Sequence, residues 1–243
     1  MSKILSFGKS DAGLRRSNNE DAFLVKPELG FLALADGMGG AAAGEVASQL
    51  FTETAFEVFS KARGQSERDA LKWVQDTFQK ANERMLNHVR KNPLHQGMGC
   101  TAELLAFENQ NYVLGHVGDS RTYLFRNGQL RQLTRDHSLI QDQIDQGLMT
   151  PAEARNHALR HIILRAVGTE ETLAVDLTRG KTLGGDLFLL CSDGLSDMVD
   201  DLLIQESLFP SLGLAERVET LIQLAKSAGG YDNITVILCE VVA

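Results

Sequence analysis

The chain has 243 residues, 43% of them hydrophobic, and a formal net charge of -8. This length and apolar content suffice for a sizeable core, and the acidic balance argues against a general nucleic-acid binder, because phosphate backbones recruit basic surfaces. The N-terminus lacks the apolar run of a signal peptide and the longest apolar runs are strand-length, so we predict a cytoplasmic protein with no membrane segment.

The first third of the chain predicts short strands followed by two long helices. Short apolar runs predict strands at residues 3–10, 22–26 and 30–35. The segments 44–62 and 66–91 then repeat apolar residues at helical spacing. Ser66 followed by Asp69 is typical of a helix start.

The rest of the chain returns to strands. Residues 101–107, 111–117, 122–126 and 129–133 predict consecutive antiparallel strands, with turns at Asn109-Gln110-Asn111 and Asn127-Gly128. We predict short helices at 138–147 and 150–157, strands at 174–179, 186–191 and 234–242, and a helix at 214–227. Because strands neighbour strands and helices come in pairs, the order predicts one domain, residues 1–243, of antiparallel sheets covered by helix pairs.

Five segments place a carboxylate next to a turn residue at the end of a predicted strand. They are Asn19-Glu20-Asp21, Asp36-Gly37, Gly118-Asp119-Ser120, Ser192-Asp193-Gly194 and Tyr231-Asp232-Asn233. A single such aspartate is usually an Asx turn or a helix cap, but five together predict a shared site. If they converge, they form a pocket of oxygen ligands whose negative charge is unstable unless cations neutralise it.

Such a pocket suits hard divalent cations. Mg²⁺ and Mn²⁺ prefer carboxylate, carbonyl and water oxygens, whereas the six dispersed histidines lack the spacing of a zinc site. Two ions that share a water lower its pKa, so a hydroxide nucleophile exists near neutral pH and can attack a phosphate monoester. The planar fork of an arginine would bind the phosphate, and Arg16 lies close to Asp21 in the chain.

The segments around these residues also match a known family in order and spacing along nearly the whole chain. They are Arg16-Ser17-Asn18-Asn19-Glu20-Asp21, Ala35-Asp36-Gly37-Met38-Gly39-Gly40, Val117-Gly118-Asp119-Ser120-Arg121, Thr134-Arg135-Asp136-His137-Ser138, Cys191-Ser192-Asp193-Gly194-Leu195 and Tyr231-Asp232-Asn233-Ile234-Thr235. They resemble the PP2C-type (PPM) metal-dependent serine/threonine protein phosphatases, above all the short bacterial members. The resemblance implies an α+β fold, a four-layer αββα sandwich in which two antiparallel β-sheets are flanked by antiparallel helix pairs.

The resemblance implies an enzyme with a pair of Mn²⁺ or Mg²⁺ ions. Asp36 would bridge the two ions, Asp193 and Asp232 would complete the shell of the first, and the backbone carbonyl of Gly37 would reach the second. The implied reaction is hydrolysis of phosphoserine and phosphothreonine on proteins by a metal-bridging hydroxide. Better-known eukaryotic members carry a histidine, a proposed general acid, where this chain has Met38. The proton donor is therefore unassigned, and a metal-bound water is our preferred candidate.

Four further residues receive roles from the resemblance. Glu20 would help to hold the second ion, directly or through water, and Asp21 would orient water behind the ligands. Asp119, together with Asp193, would hold a third, weaker ion. Arg16 would bind the substrate phosphate.

Residues 137–168 match the family's flap beside the active site. They contain a basic island in an acidic protein, formed by Arg155, His157, Arg160, His161 and Arg165. The island is either a mixed solvated surface or a surface that docks acidic phosphoprotein substrates. We interpret His161 as a structural histidine, although it lies in the segment that approaches the pocket.

We expect phosphorylated proteins as substrates, an opposing Ser/Thr protein kinase, and a monomer that acts in signalling without nucleic-acid or membrane partners. One alternative is a dinucleotide-binding oxidoreductase, because Gly37-Met38-Gly39-Gly40-Ala41-Ala42 fits GxGxxA between a strand and a helix. Asp36 would then lie beside a pyrophosphate, and the next element is a helix rather than the second strand of a βαβ unit. The other alternative is a catalytically silent PP2C-like binding module, which the full set of carboxylates disfavours.

Overall fold

The computed structural model describes residues 3–39, 43–62, 66–154, 157–209 and 212–242. The strands in these ranges are β1 (Lys3–Asp11), β2 (Asp21–Lys26), β3 (Phe31–Met38), β4 (Gly99–Cys100), β5 (Ala102–Glu108), β6 (Asn111–Val117), β7 (Arg121–Arg126), β8 (Gln129–Gln132), β9 (Asp176–Lys181), β10 (Leu187–Cys191) and β11 (Ile234–Val242). The α-helices are α1 (Ala43–Lys61), α2 (Glu67–Lys91), α3 (Leu139–Asp145), α4 (Pro151–Ala154), α5 (Asp193–Ser196), α6 (Asp201–Ser207) and α7 (Leu214–Ser227).

The strands form two antiparallel sheets. Sheet A has the order β1-β11-β10-β7-β8, and sheet B has the order β2-β3-β5-β6-β9, with β4 paired to the end of β3. The first and last strands pair along their whole length, from Lys3 opposite Val242 to Asp11 opposite Ile234. The prediction of two antiparallel sheets is therefore confirmed.

Three apolar clusters separate four layers. The first lies between sheet B and the pair α1–α2 and contains Phe51 and Phe78. The second fills the space between the two sheets, and the third lies between sheet A and the helices α5, α6 and α7. Strand β10 contributes to two clusters, because Phe188 points between the sheets while Leu187 and Leu189 point toward α7. This burial on both faces explains why β10 is a continuous apolar run, and the helix–sheet–sheet–helix order confirms the predicted sandwich.

Local signals in the sequence fix several boundaries. The Ser66 hydroxyl accepts a hydrogen bond from the Asp69 backbone N–H at 3.2 Å and so caps α2, as predicted. The β7–β8 hairpin turns at Asn127 (φ 53°) and Gly128 (φ 77°), two left-handed residues in the pattern of a type I′ turn. The two-residue turn between β5 and β6 likewise begins at left-handed Asn109.

The structure differs from the predicted order in the middle of the chain. Strands β5 and β6 belong to sheet B, whereas β7 and β8 belong to sheet A, so the predicted run of four strands crosses between the sheets at Gly118-Asp119-Ser120. The sequence analysis did not predict α5 and α6, which have four and seven residues. Among the described helices, none combines the length and the apolarity that a bilayer crossing needs.

Candidate metal centre

Strand register brings the predicted carboxylates to one edge of the two sheets. In sheet B, Asp21 at the start of β2 lies opposite Asp36 in β3. In sheet A, the last residue of β10, Cys191, lies opposite the first residue of β7, Arg121. Asp193 follows β10 and Asp119 precedes β7, so both aspartates lie at the same edge of the sheet. Asp232 lies two residues before β11, the neighbour of β10. Carboxylates that are up to 211 residues apart in the sequence thus come from adjacent strand ends.

Asp21 connects the two sheets at this edge. Its Oδ2 accepts hydrogen bonds from the hydroxyls of Ser192, at 2.9 Å, and Thr235, at 2.6 Å, both on sheet A. The Ser192 hydroxyl in turn accepts the Thr235 backbone N–H at 3.0 Å. Residues that flank Asp193 and Asp232 therefore hold the Asp21 carboxylate, and the two sheets are fixed against each other where the acidic residues meet.

The closeness of the carboxylates governs the electrostatics of this edge. Burial raises the pKa of Asp36 well above its ordinary value, and the charges of Asp21, Asp193, Asp119 and Asp232 raise it further. Burial, followed by the charge of Asp119, also raises the pKa of Asp193 well above the usual range. Burial raises the pKa of Asp21 to about 6 and that of Asp119 to about 7.

The donor set fits hard divalent cations. Asp21 Oδ1, Asp119 Oδ1 and Asp193 Oδ1 are buried and have no hydrogen-bond partner in the structure. A buried carboxylate oxygen without a partner is costly, and a cation offers the missing interaction. Oxygen ligands with several negative charges select Mg²⁺ or Mn²⁺ rather than soft metals. The centre is thus suited to the ions that the sequence predicts.

Arg16 lies at the rim of the centre. Its guanidinium Nη2 donates to Asp232 Oδ2 at 2.6 Å, and this bond raises the pKa of the arginine. Glu20 and Asp193 also contribute to that shift, so both carboxylates lie near the guanidinium. The Arg16 side chain is 49% exposed, which leaves it accessible to a ligand from solvent. The structure therefore brings Arg16 to the pocket, as its position in the sequence suggested.

Asn233 holds the loop that carries Arg16 and Glu20. Its side-chain amide donates to the carbonyls of Ala12, at 3.1 Å, and Asn18, at 2.9 Å, and its Oδ1 accepts the Glu20 backbone N–H at 2.8 Å. Three bonds from one side chain fix the loop against the strand that follows Asp232. The sequence singled out this asparagine only as a turn residue, whereas the structure gives it a positioning role.

Gly37 occupies a place where no side chain fits. A Cβ atom there would lie 2.1 Å from the carbonyl oxygen of Gly44, at the start of α1. The Gly37 N–H donates to the Glu20 carbonyl at 3.1 Å, which packs the end of β3 against the Glu20 segment. Close backbone approach therefore requires glycine here, and it brings Gly37 and Glu20 together beside Asp36.

Asp197 and His161 also belong to this region, and the sequence analysis did not assign either of them to the centre. One ligand atom each from His161, Asp193 and Asp197 lies within 4.8 Å of the other two, a spacing that suits a metal ion. The Asp197 backbone N–H donates to the Asp193 carbonyl at 2.8 Å across the α5 turn. The four-residue spacing of the two aspartates was the signal that could have found Asp197, because it places both side chains on one helical face.

The flap lies beside the centre, with α3 and α4 as its helices. Its basic residues pair with aspartates: Arg160 Nε lies 3.3 Å from Asp197 Oδ2, and Arg165 Nη1 lies 2.8 Å from Asp176 Oδ1. His161 Nδ1 is 3.7 Å from the same Asp197 oxygen. Arg155 of the predicted basic island, like Gly40 of the glycine-rich segment, lies outside the described residues. Within the described flap, Arg160 and Arg165 therefore lie in ion pairs with aspartates of other elements.

This combination of a two-sheet sandwich, a cation centre at one shared edge and an arginine at its rim is that of the metal-dependent phosphatases. The sequence profile of the family Protein phosphatase 2C matches residues 14–238. The chain therefore belongs to the protein phosphatase 2C family, and its predicted similarity to the bacterial metal-dependent serine/threonine phosphatases is confirmed.

Two relatives and one solved structure illustrate this similarity. The serine/threonine protein phosphatase PstP of Mycobacterium tuberculosis is 42% identical over 96% of this chain, which spans only 44% of that protein. The serine/threonine phosphatase stp of Listeria monocytogenes is 36% identical, with 96% of this chain and 94% of that protein covered. The structure of the PstP catalytic domain in complex with two manganese ions has 39% identity, a TM-score of 0.89 and 99% coverage of both chains.

The fold also excludes the dinucleotide-binding alternative. Strand β3 pairs with antiparallel neighbours on both sides, and α1 leads to α2 rather than to a parallel strand. The glycine-rich segment thus has no βαβ unit in which to bind a pyrophosphate.

Proposed function

We propose that this chain hydrolyses phosphoserine and phosphothreonine in proteins, with divalent cations held at the shared edge of the two sheets. The observation that carries the proposal is the meeting of five aspartates, three of which have a buried oxygen without a hydrogen-bond partner. Such an arrangement is costly for the fold and becomes favourable only when cations bind.

In the proposed assignment, Asp36 would serve both of two Mn²⁺ or Mg²⁺ ions, and Asp193 and Asp232 would complete the ligands of the first. The Gly37 carbonyl and Glu20 would serve the second ion. When bound, the ion pair supplies an activated water and neutralises the phosphate oxygens. Burial and the charges of other carboxylates of the group raise the pKa of Asp36 and that of Asp193, which supports their place at the centre of the charge.

The remaining assigned residues position or extend this centre. Asp21 Oδ2 accepts the hydroxyls of Ser192 and Thr235, and its Oδ1 is buried without a hydrogen-bond partner, which supports a role in orienting water. Asp119 shares the region of Asp193 and is assigned to a third, weaker ion. We add Asp197 as a candidate ligand of that ion, since its carboxylate lies close to Asp193.

Arg16 is assigned to the substrate phosphate. Its guanidinium is already fixed at the rim by Asp232, so its orientation is set before substrate arrives. The planar fork leaves further N–H groups to donate to phosphate oxygens, which a lysine could not reproduce.

The test is hydrolysis of a phosphothreonine peptide by the wild-type chain with Mn²⁺, by the same chain with a chelator, and by Asp193→Asn with Mn²⁺. We expect turnover only in the first case. The matched control is Asp142→Asn, which removes an exposed aspartate of the flap that pairs with Arg135, and we expect it to retain activity. Equal rates in the three main arms would defeat the proposal, and the absence of turnover in all three would favour the catalytically silent binding module.

We also propose, as parts of the same function, that the chain works as one domain and as a monomer in the cytoplasm. Phosphoprotein substrates require a kinase that makes them, so we propose an opposing Ser/Thr protein kinase as the functional partner. Sedimentation of the purified chain tests the monomer, because a second species that grows with concentration would contradict it.

A further inference from the structure

A histidine and two aspartates meet between the flap and α5, at one side of the cation centre. The histidine is His161 of the flap, and the aspartates are Asp193, the first residue of α5, and Asp197, which follows that helix. One ligand atom from each residue lies within 4.8 Å of the other two. Metal–ligand distances of about 2.0–2.2 Å place opposite ligands of one ion about 4.2 Å apart, so a contraction of at most about 0.6 Å would seat an ion here.

Two carboxylates of this region have a buried oxygen without a hydrogen-bond partner. They are Asp193 and Asp119, in each case through Oδ1, and Asp119 is only 8% exposed. Burial is the main reason that the pKa of each is raised, and the charge of Asp197 adds to both shifts. The three carboxylates therefore lie close enough to repel one another, and a cation would relieve that repulsion while it partners the unbonded oxygens.

Arginines neutralise part of this charge but leave ligand positions in place. Arg160 Nε lies 3.3 Å from Asp197 Oδ2. Because a carboxylate has two oxygens with several lone pairs, Asp197 can accept the guanidinium and still bind an ion. Arg121, which lines the same cavity, donates instead to Asp136 through Nε and Nη2, at 3.0 and 2.7 Å.

His161 has the surroundings of a ligand rather than those of a structural histidine. Its side chain is 59% exposed, and its Nδ1 lies 3.7 Å from Asp197 Oδ2. By contrast, the structural histidine His116 is buried and has a hydrogen-bond partner at each ring nitrogen. A separation of 3.7 Å is longer than a hydrogen bond, and an ion shared by the imidazole and the carboxylate would bridge it.

An imidazole ligand changes which ions a site prefers. Mg²⁺ binds through carboxylates, carbonyls and waters, whereas the nitrogen of an imidazole suits transition metals. For a given set of nitrogen and oxygen ligands, Zn²⁺ binds more tightly than Mn²⁺. A site with one histidine therefore discriminates against Mg²⁺, which the other ligands of the centre, all oxygens, do not.

We propose that His161, Asp193 and Asp197 bind a divalent transition metal, of the class of Mn²⁺ and Zn²⁺, in preference to Mg²⁺. The proposal rests on the function proposed above and refines its third ion, to which Asp119 and Asp193 are already assigned. That ion then has one nitrogen ligand and joins the flap to α5. The spacing of the histidines along the chain gave no sign of the site, because its ligands lie on different elements.

A zinc titration followed by nuclear magnetic resonance of the histidine ring nitrogens tests the ligand directly. The full chain carries isotope-labelled histidine, and excess Mg²⁺ is present to occupy the positions that have only oxygen ligands. We expect the first additions of Zn²⁺ to shift the ring nitrogens of His161. His88 and His95, whose ring nitrogens lie 3.0 Å apart, form an alternative imidazole pair. A first response at that pair, with none at His161, would overturn the proposal.

Two variants remove one ligand each and keep a polar side chain, namely His161→Gln and Asp197→Asn. Because even changes around the ligands of a metal cost about 10–100-fold in affinity, we expect each variant to weaken zinc binding, measured by calorimetry in excess Mg²⁺, by about tenfold or more. The matched control is His157→Asn, which removes another imidazole of the flap and keeps an acceptor for the Leu159 N–H. It should bind zinc like the wild type, and equal zinc affinity in all these proteins would overturn the proposal.

Turnover of a phosphothreonine peptide by the wild type with Mn²⁺ separates this proposal from the preceding one. Turnover together with an unchanged zinc affinity in His161→Gln would overturn the nitrogen ligand and leave the proposed function standing. Absence of turnover would defeat the proposed function, whereas the zinc response of the His161 ring still decides whether this residue binds a metal.

Discussion

Replacing Asp193 by asparagine is expected to stabilise the metal-free protein while it abolishes the metal response. Asp193 Oδ1 is buried without a partner, and burial together with Asp119 raises the pKa of this carboxyl well above its ordinary value. At neutral pH the ionised form is therefore unfavourable in the fold. Asparagine has the same shape without the charge, and its amide can donate to the neighbouring carboxylates.

The magnitude follows from the competing effects at this position. A buried polar group without a partner costs about 1–3 kcal/mol. Asp193 is the first residue of α5, and a negative charge at a helix start stabilises the helix by about 0.3–1 kcal/mol. Because α5 has only one turn, this gain is smaller than the cost of burying the carboxylate. The net gain of about 1–2 kcal/mol corresponds to a rise in Tm of about 2–8 °C for a chain of this size. In the wild type, Mn²⁺ at a hundred times its Kd adds about 2.7 kcal/mol.

Thermal unfolding near neutral pH, followed by circular dichroism with chelator and with saturating Mn²⁺, measures both effects. With chelator, Asp193→Asn should melt above the wild type; with Mn²⁺, the order should reverse. Asp142→Asn controls for the loss of an exposed aspartate and should respond to Mn²⁺ like the wild type. A chelated variant that melts below the wild type and gains as much from Mn²⁺ would refute the placement of Asp193 at the cation centre.

Arg16→Ala should raise KM for a phosphopeptide by about tenfold to a hundredfold, because it removes a hydrogen bond to a charged group. Kinetics measure KM and calorimetry measures Mn²⁺ affinity. A variant that loses Mn²⁺ affinity while its KM is unchanged would contradict this role. The pKa values of Asp21 (about 6) and Asp119 (about 7) exceed the ordinary value of 3.8. Between the ordinary value and these raised values, the folded protein therefore binds more protons than the unfolded chain. Chelated stability should therefore fall as pH rises from about 4 to 7 and then level off, and a rise in denaturation midpoint over that range would exclude these shifts. His137 Nδ1 accepts the Gly118 N–H at 3.0 Å, beside Asp119. His137→Ala should weaken Mn²⁺ binding measured by calorimetry, and His137→Asn, which retains an acceptor, should restore it; equal affinity in both variants would argue against this positioning role.

Much of the fold was predictable because its signals are local. The capping pair Ser66 and Asp69 marked the start of α2, and Asn127-Gly128 marked the β7–β8 hairpin. Strands β6 and β11 coincide with their predicted ranges, because their apolar residues end at clear turn signals. The pairing of β1 with β11 had no such signal, since it joins residues at opposite ends of the chain.

The site was predictable only as a set of residue types. Aspartates at strand ends suggested convergence, but the register that places Asp21 opposite Asp36 depends on the packed sheets. The sequence also drew attention to the cations of the flap, Arg160 and Arg165, without the aspartates that neutralise them, because those partners lie on other elements. Charge balance of a surface is a tertiary property, which a count along one segment does not show.

The position of β11 has a consequence for truncated forms of the chain. This strand lies between β1 and β10 in sheet A, and Asp232 and Asn233 precede it directly. A fragment that stops before residue 232 would lack an interior strand of sheet A, one carboxylate of the centre and the asparagine that holds the Arg16 loop. One short segment thus serves the sheet and the centre together, and we expect its removal to abolish the response to Mn²⁺.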